Sequence, residues 1–421
     1  MAPWVHTYLS PLTERRMCCA SREPAQNFRQ YIDTESGSNK YIPITLEEHW
    51  NSPHMMSVRK RMMAGETLPE CEVCNDKLLN TDVYRTYFWQ LFKHKYPDIW
   101  ETTNTTGRTT MQPVSWDYRF SNLCNFKCRT CGDMLSSSWE SEQRQHNMIE
   151  WTDPNNNWMR PKVRSAITEF QDSQIEAEFA EAVEQHRVEE VYWVGGEPLM
   201  YEQHWRYMKR IVELGDGPRV YARYNTNLSR VNFRGINLFS DILSRLRDWQ
   251  ICASLDGTGA IGEYIRTGLE YDRWLDNFGK ALEIQSHRRQ VRIDFTLTLP
   301  GMFEVTRIRQ LAEAYGVEVL AKVMFSFSPN IVMSPLALPR TLLEPWIDEL
   351  VPQVDGALCD MLTQLKTRPT FEEQWPDTYR AGLASGRDRV LQLESIRTQK
   401  TTMSEILARR PAVLEWWNNI A

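Results

Sequence analysis

The middle of the chain alternates two hydrophobic rhythms. Residues 115–120, 188–194, 219–224, 249–255, 291–299 and 317–325 are short runs rich in β-branched and aromatic side chains, the pattern of strands. Residues 167–186, 205–214, 271–285 and 304–315 instead carry apolar side chains at helical spacing. Strands that alternate with helices imply right-handed crossovers and a parallel sheet. Six such units predict an α/β fold, a partial (β/α)6 TIM-like barrel over residues 106–330. In such barrels chemistry gathers in the loops that leave the C-terminal ends of strands. The residues directly after each predicted strand are therefore the first place to look for a site.

The flanks follow other patterns. Residues 1–105 predict an irregular, cysteine-containing domain. Within it, Thr45-Leu46-Glu47-Glu48 has the form of a capping box, and 45–65 reads as a helix start followed by a basic helix. Residues 331–421 predict a helical region with Trp and Leu clusters.

Composition narrows the class. Hydrophobic residues make up 42% and charged residues 25%, as in ordinary globular proteins, and the net charge of −6 is not that of a chain that coats nucleic acid. The start, Met1-Ala2-Pro3-Trp4-Val5-His6, lacks the basic and apolar regions of a secretory signal. No run reaches the roughly 18 apolar residues of a membrane helix. The expectation is a cytoplasmic protein with no membrane contact.

The nine cysteines matter through their spacing. Cys252 and Cys359 stand alone in apolar surroundings and read as small buried hydrophobes. Cys124, Cys128 and Cys131 form C-x-x-x-C-x-x-C directly after the first predicted strand. Three thiolates on one short loop suit three irons of a cubane cluster and leave the fourth iron open. Structural zinc is the alternative, but it usually takes four ligands, often in two C-x-x-C pairs. After the second predicted strand comes Gly195-Gly196-Glu197-Pro198, where glycines let backbone approach a ligand closely. Taken alone, that tetrapeptide is a turn.

The two motifs in this order, with Asp117-Tyr118-Arg119-Phe120-Ser121-Asn122-Leu123 leading into Cys124, resemble the radical S-adenosylmethionine (SAM) superfamily. One departure is Thr130, where the family usually has an aromatic residue. The resemblance implies a [4Fe-4S] cluster on Cys124, Cys128 and Cys131, with SAM chelating the open iron. It implies that Gly195, Gly196, Glu197 and Pro198 receive the SAM amino group. Asn225 and Asn227 after the third strand, and Ser254 and Asp256 after the fourth with Arg266 beyond, would offer polar groups to the SAM carboxylate and ribose. Read without the resemblance, Asp256-Gly257 is a turn and Arg266 a surface charge. The likeness spans residues 115 to about 330. It further implies an enzyme that cleaves SAM reductively to a 5′-deoxyadenosyl radical, which abstracts hydrogen from a substrate. The electron would come from an external donor such as flavodoxin or ferredoxin.

The amino-terminal Cys18, Cys19, Cys71 and Cys74 are similar to the auxiliary-cluster segments called twitch or SPASM domains, although those normally follow the barrel. That implies a second iron–sulfur cluster, with Cys71, Cys74 and Cys19 preferred as ligands before Cys18. Zinc, a [2Fe-2S] cluster or four unligated thiols are the alternatives. Relatives of this kind suggest a peptide or protein substrate, or a small molecule. Two other classes stay open at this level. One is a nucleic-acid-modifying radical enzyme, for which Arg59-Lys60-Arg61 is the one compact basic cluster near these cysteines. The other is a non-catalytic iron–sulfur sensor or scaffold.

Overall fold

Eight strands carry the architecture: β1 His6–Leu9, β2 Arg15–Arg16, β3 Ser115–Tyr118, β4 Glu190–Trp193, β5 Tyr221–Thr226, β6 Asp248–Ser254, β7 Val291–Leu297 and β8 Glu318–Val323. The computed structural model describes residues 1–21, 30–32, 39–41, 43–77, 83–325 and 331–420. The chain forms two compact units. One comprises Met1–Cys124, Asp133–Tyr224 and Asn232–Trp249; the other comprises Asn125–Gly132, Asn225–Val231 and Gln250–Ala421.

In the first unit β3 pairs in parallel with both β1 and β4, and β4 with β5; only β2 runs antiparallel, against β1. In the second unit β6, β7 and β8 are parallel neighbours. Helices connect β3 to β8, among them Glu202–Glu213, Tyr271–Glu283 and Val305–Tyr315, so the fold is α/β with the strand–helix order of a partial barrel. The six predicted strands are present, each within a few residues of its predicted bounds. The helix expected at 167–186 begins earlier, at Pro161, where proline suits the first turn, and it passes through a wider π turn at Gln171–Ile175. The capping box at Thr45 is formed with Glu48, but Ser52-Pro53 ends that helix and starts another. The carboxy-terminal region is helical, as expected.

Strand alternation divides each part of the sheet into two faces. One face is apolar and meets the helices: Trp116 packs against Phe179, and Trp193 against Phe179 and His204. The other face is polar. In the first unit His6 hydrogen-bonds Ser115 (2.7 Å), Ser115 donates to Glu190, and Tyr87 donates to Glu190 (2.7 Å). Arg223 lies over the rings of Tyr192 and Tyr87. In the second unit one face carries Cys252, Arg292, Asp294 and Lys322.

β1 was not foreseen. Its four residues are all buried and show no alternation, so no strand rhythm appears in the sequence. It extends the sheet beyond β3, and the amino-terminal segment packs in the same compact unit as β3, β4 and most of β5.

Candidate active site

The loop after β3 contains the three spaced cysteines, and each unit holds part of it. In the first unit Cys124 is fixed through its backbone: its N–H donates to Ser137 Oγ (3.2 Å) and its carbonyl accepts from Ser138 Oγ (2.7 Å). The turn after β4 is locked to the same stretch. The Glu197 N–H donates to the Leu123 carbonyl (2.8 Å), and the Tyr201 hydroxyl donates to the Ser121 carbonyl (2.7 Å) while also meeting that of Gly195. Gly195 and Gly196 both have positive φ, +82° and +53°. A Cβ on Gly196 would stand 2.5 Å from the Leu123 carbonyl oxygen, so only glycine brings the two loops this close. Glu197 turns its carboxylate to cap the Leu199 N–H (3.1 Å), and Pro198 starts a short helical turn. Burial first, then the nearby Cys124 and Glu197, push the Tyr201 hydroxyl well above its usual range, so it remains a donor.

In the second unit Cys128 and Lys127 pair antiparallel with Arg266 and Thr267. Arg129 donates its N–H to the Ile265 carbonyl (2.7 Å) and its guanidinium to the Tyr264 carbonyl and to Gln399. Arg397 donates to the Lys127 carbonyl (3.0 Å). The cysteine loop is therefore held from both sides, by the segment after β6 and by the carboxy-terminal helices. Phe126 and Gly268 meet so closely that a Cβ at 268 would clash with the ring.

Arg266 is not a surface charge. Its side chain is only 14% exposed and pairs at 2.8 Å with Asp256, which is fully buried. Asp256 also accepts the Thr296 N–H (3.0 Å). Burial acts to lower the Arg266 pKa, but the charges of Cys128, Asp256 and Cys131 overcome it and raise the value. A fixed cation thus lies beside two of the three thiols. A hydrogen bond with Cys131, then burial, pushes the Cys128 thiol up, while Arg266 pulls it down. The Arg266 Nε is buried with no hydrogen-bond partner among the described residues, a donor still to be satisfied.

Ser254 ends β6, opposite Asp294 on β7. Asn225 donates to Asp294 Oδ2 (2.9 Å), and Asn227 donates to Asn125 on the cysteine loop (3.0 Å). Glu304, fully buried, accepts from the N–H and hydroxyl of Thr258 and so holds the turn after Asp256.

The donor chemistry fits an iron–sulfur cluster with a bound aminoacyl ligand. The loop supplies three thiols and no fourth, a cation lies beside two of them, and a turn that begins with two glycines is locked to Leu123, just before Cys124. Among the described residues, no three His, Cys, Asp or Glu side chains are already drawn into a metal cage.

The amino-terminal thiols separate into two environments. Cys18 is buried and lies close enough to Cys19, Cys74 and Cys71 that their charge, after burial, raises its pKa. Cys71 and Cys74 flank a helix start, and Arg85 hydrogen-bonds Cys71. Cys19 faces elsewhere: its thiol hydrogen-bonds Asp117 and Tyr84, and burial first, with Asp117, pushes it up to about 12. The charges of Cys71 and Cys74 thus act on Cys18, and that of Asp117 on Cys19. Arg59, from the basic cluster, is fully buried, bonded to the Pro3 carbonyl and stacked on Trp50, while Arg61 pairs with Glu66 and Glu70.

Tyr201, Arg129, Arg397, Gln399 and Glu304 were missed by sequence reasoning. Only Tyr201 had a local signal, three residues past Pro198; Arg397 reaches the loop from 270 residues away.

Residues 118–311 match the family model of the radical SAM superfamily. Among solved structures the chain is similar to Streptococcus suis SuiB bound to S-adenosylmethionine, at 14% identity and a TM-score of 0.36, over 82% of this chain and 74% of that one. It is also similar to Streptococcus suis SuiB bound to precursor peptide SuiA, at 13% identity and a TM-score of 0.35, over 86% and 77% of the two chains. No curated protein matches. No helix among the described residues is long and apolar enough to cross a membrane.

Proposed function

We propose that the protein is a radical SAM enzyme whose Cys124, Cys128 and Cys131 hold a [4Fe-4S] cluster. When bound, cluster and SAM supply reductive cleavage of the sulfonium to a 5′-deoxyadenosyl radical, which abstracts hydrogen from a substrate. The observation that carries this reading is the backbone lock between the loop at Leu123 and the turn at Gly196. A scaffold that only stores a cluster has no use for a glycine-lined turn pressed against it. Gly195–Pro198 would offer backbone to the SAM amino group. Arg266, whose Nε no described residue satisfies, and Asn225, Asn227, Ser254 and Asp256 would receive the carboxylate and ribose. Arg129 and Arg397 keep the loop in place so that its thiols need not reorganise.

A second cluster at the amino terminus fits Cys18, Cys71 and Cys74, with Cys19 held by Asp117. For substrate we take a peptide or protein before a small molecule, on the likeness of this segment to auxiliary-cluster segments. The electron would come from flavodoxin or ferredoxin. The burial of Arg59 leaves the nucleic-acid reading without its basic patch.

The test is anaerobic reconstitution with iron and sulfide, read by metal content and by the electron paramagnetic resonance of the reduced protein with and without SAM. Wild type should show a cluster signal that SAM shifts, and Cys128→Ala should lose it. Cys71→Ala combined with Cys74→Ala should lower iron per chain while the SAM-shifted signal stays. Unchanged iron in the double variant removes the second site, and a wild-type signal indifferent to SAM removes the main reading.

A further inference from the structure

β7 places a carboxylate on the polar face of the sheet, and three details set it apart. Asp294 is only 3% exposed, and both of its oxygens are engaged. Lys322 Nζ on β8 lies 2.9 Å from Oδ1 and 3.0 Å from Oδ2, and Asn225 Nδ2 lies 2.9 Å from Oδ2. Yet the Lys322 side chain is 51% exposed. A buried carboxylate thus holds an ammonium that reaches into open space at the C-terminal end of β8.

Stability does not account for this arrangement. A buried ion pair replaced by apolar side chains of similar volume is often as stable or more so. An apolar residue at 294 would also suit a strand whose other face is Ile293, Phe295 and Leu297. The ammonium has three N–H donors, and Asp294 takes two at most. The half-exposed side chain leaves the remaining donor without a partner among the described residues. Neighbouring charges do not absorb it: Arg292, the other cation on this face of β7, donates to Cys252 Sγ and stands opposite Glu318 in the register. Asn225, near the end of β5 and itself among the residues assigned to SAM, donates to the same carboxylate, so the lysine is anchored to the edge of that site.

The geometry points to Lys322 as the residue that binds a carboxylate of the substrate, with Asp294 and Asn225 as its positioning residues. One half-exposed ammonium, held on one side by Asp294, offers its spare N–H to a single carboxylate and not to a polyanion. Joined to a peptide substrate, this selects an acidic peptide, one that presents a Glu or Asp side chain near the site of hydrogen abstraction. The inference rests on the radical SAM reading for the place of the site, not for the charge it selects.

The test uses the full chain, reconstituted and SAM-bound, with two probes, acetyl-Gly-Glu-Gly-amide and acetyl-Gly-Gln-Gly-amide, and calorimetry as readout. Wild type should bind the Glu peptide about ten-fold more tightly than the Gln peptide, the worth of one charge-assisted hydrogen bond. Lys322→Met should bind both equally, and Lys322→Arg should keep most of the preference. Thermal unfolding of Lys322→Met, unchanged within a few degrees, guards against a folding defect. Equal or absent binding of both probes by wild type, or a preference that survives Lys322→Met, overturns the proposal. 5′-Deoxyadenosine formation with dithionite is measured in the same samples. Its absence in wild type sinks the radical SAM reading alone, because the charge preference is read without turnover.

Discussion

A single hydrogen atom decides what can stand at position 196. The backbone there has φ +53°, and a methyl group would meet the Leu123 carbonyl at 2.5 Å. Gly196→Ala should therefore fold but reconstitute less cluster, with SAM affinity at least ten-fold weaker by equilibrium dialysis; unchanged affinity would show that the lock is dispensable. Glu190 gives a second residue-scale prediction. Burial raises its pKa from 4.5 to about 7, against the pull of Ser115 and Tyr87. The folded state then holds a proton that the unfolded state has released, so this stability is complete below pH 4.5 and is lost as pH rises through about 7. Glu190→Gln should gain stability relative to wild type between pH 5 and 8, by up to about 3 kcal/mol, measured as denaturant midpoints. A difference that stays flat with pH would place the proton elsewhere. At this scale the cysteine spacing was legible because the three thiols sit close in sequence. The burial of Arg266 was not, because its partners Asp256 and Cys128 meet it only through the fold.

At the scale of elements, the six strands of the barrel were readable because β-branched runs end cleanly at glycine or polar turns. β1 was not, because burial on both faces erases the alternation that marks a strand. It is held by what precedes it. Trp4 is 3% exposed, bonds Thr103 through its indole N–H (2.8 Å) and packs with Val5, Phe88, Phe92 and Ile99. Trp4→Ala should cost about 3–5 kcal/mol in denaturant unfolding, and Trp4→Phe distinctly less. A loss below about 1 kcal/mol would mean that β1 is not part of the cooperative unit. The clamp on the cysteine loop belongs to this scale too. Arg397 leaves the helix Pro376–Ile396 at its end and bonds the Lys127 carbonyl. No periodicity announces a contact across 270 residues.

For the whole molecule, the sequence order of motifs already named a chemistry, since a three-thiol loop and a glycine turn follow successive parallel strands. The fold adds order within each compact unit: Glu197 is tied to Leu123 in one, and Arg266 is paired with Asp256 and set against Cys128 in the other. What the sequence obscured is the role of the amino-terminal segment, whose irregular pattern conceals a strand paired with β3 and a helix, Tyr84–Phe92, whose Tyr87 bonds the polar face at Glu190. The central claim is that these parts together cleave SAM. The direct measurement is 5′-deoxyadenosine by mass spectrometry, after anaerobic addition of SAM and dithionite to reconstituted wild type and Cys124→Ala. Product from wild type and none from Cys124→Ala is the predicted result. Equal product from both, or none from a wild type with its full complement of iron, would contradict it.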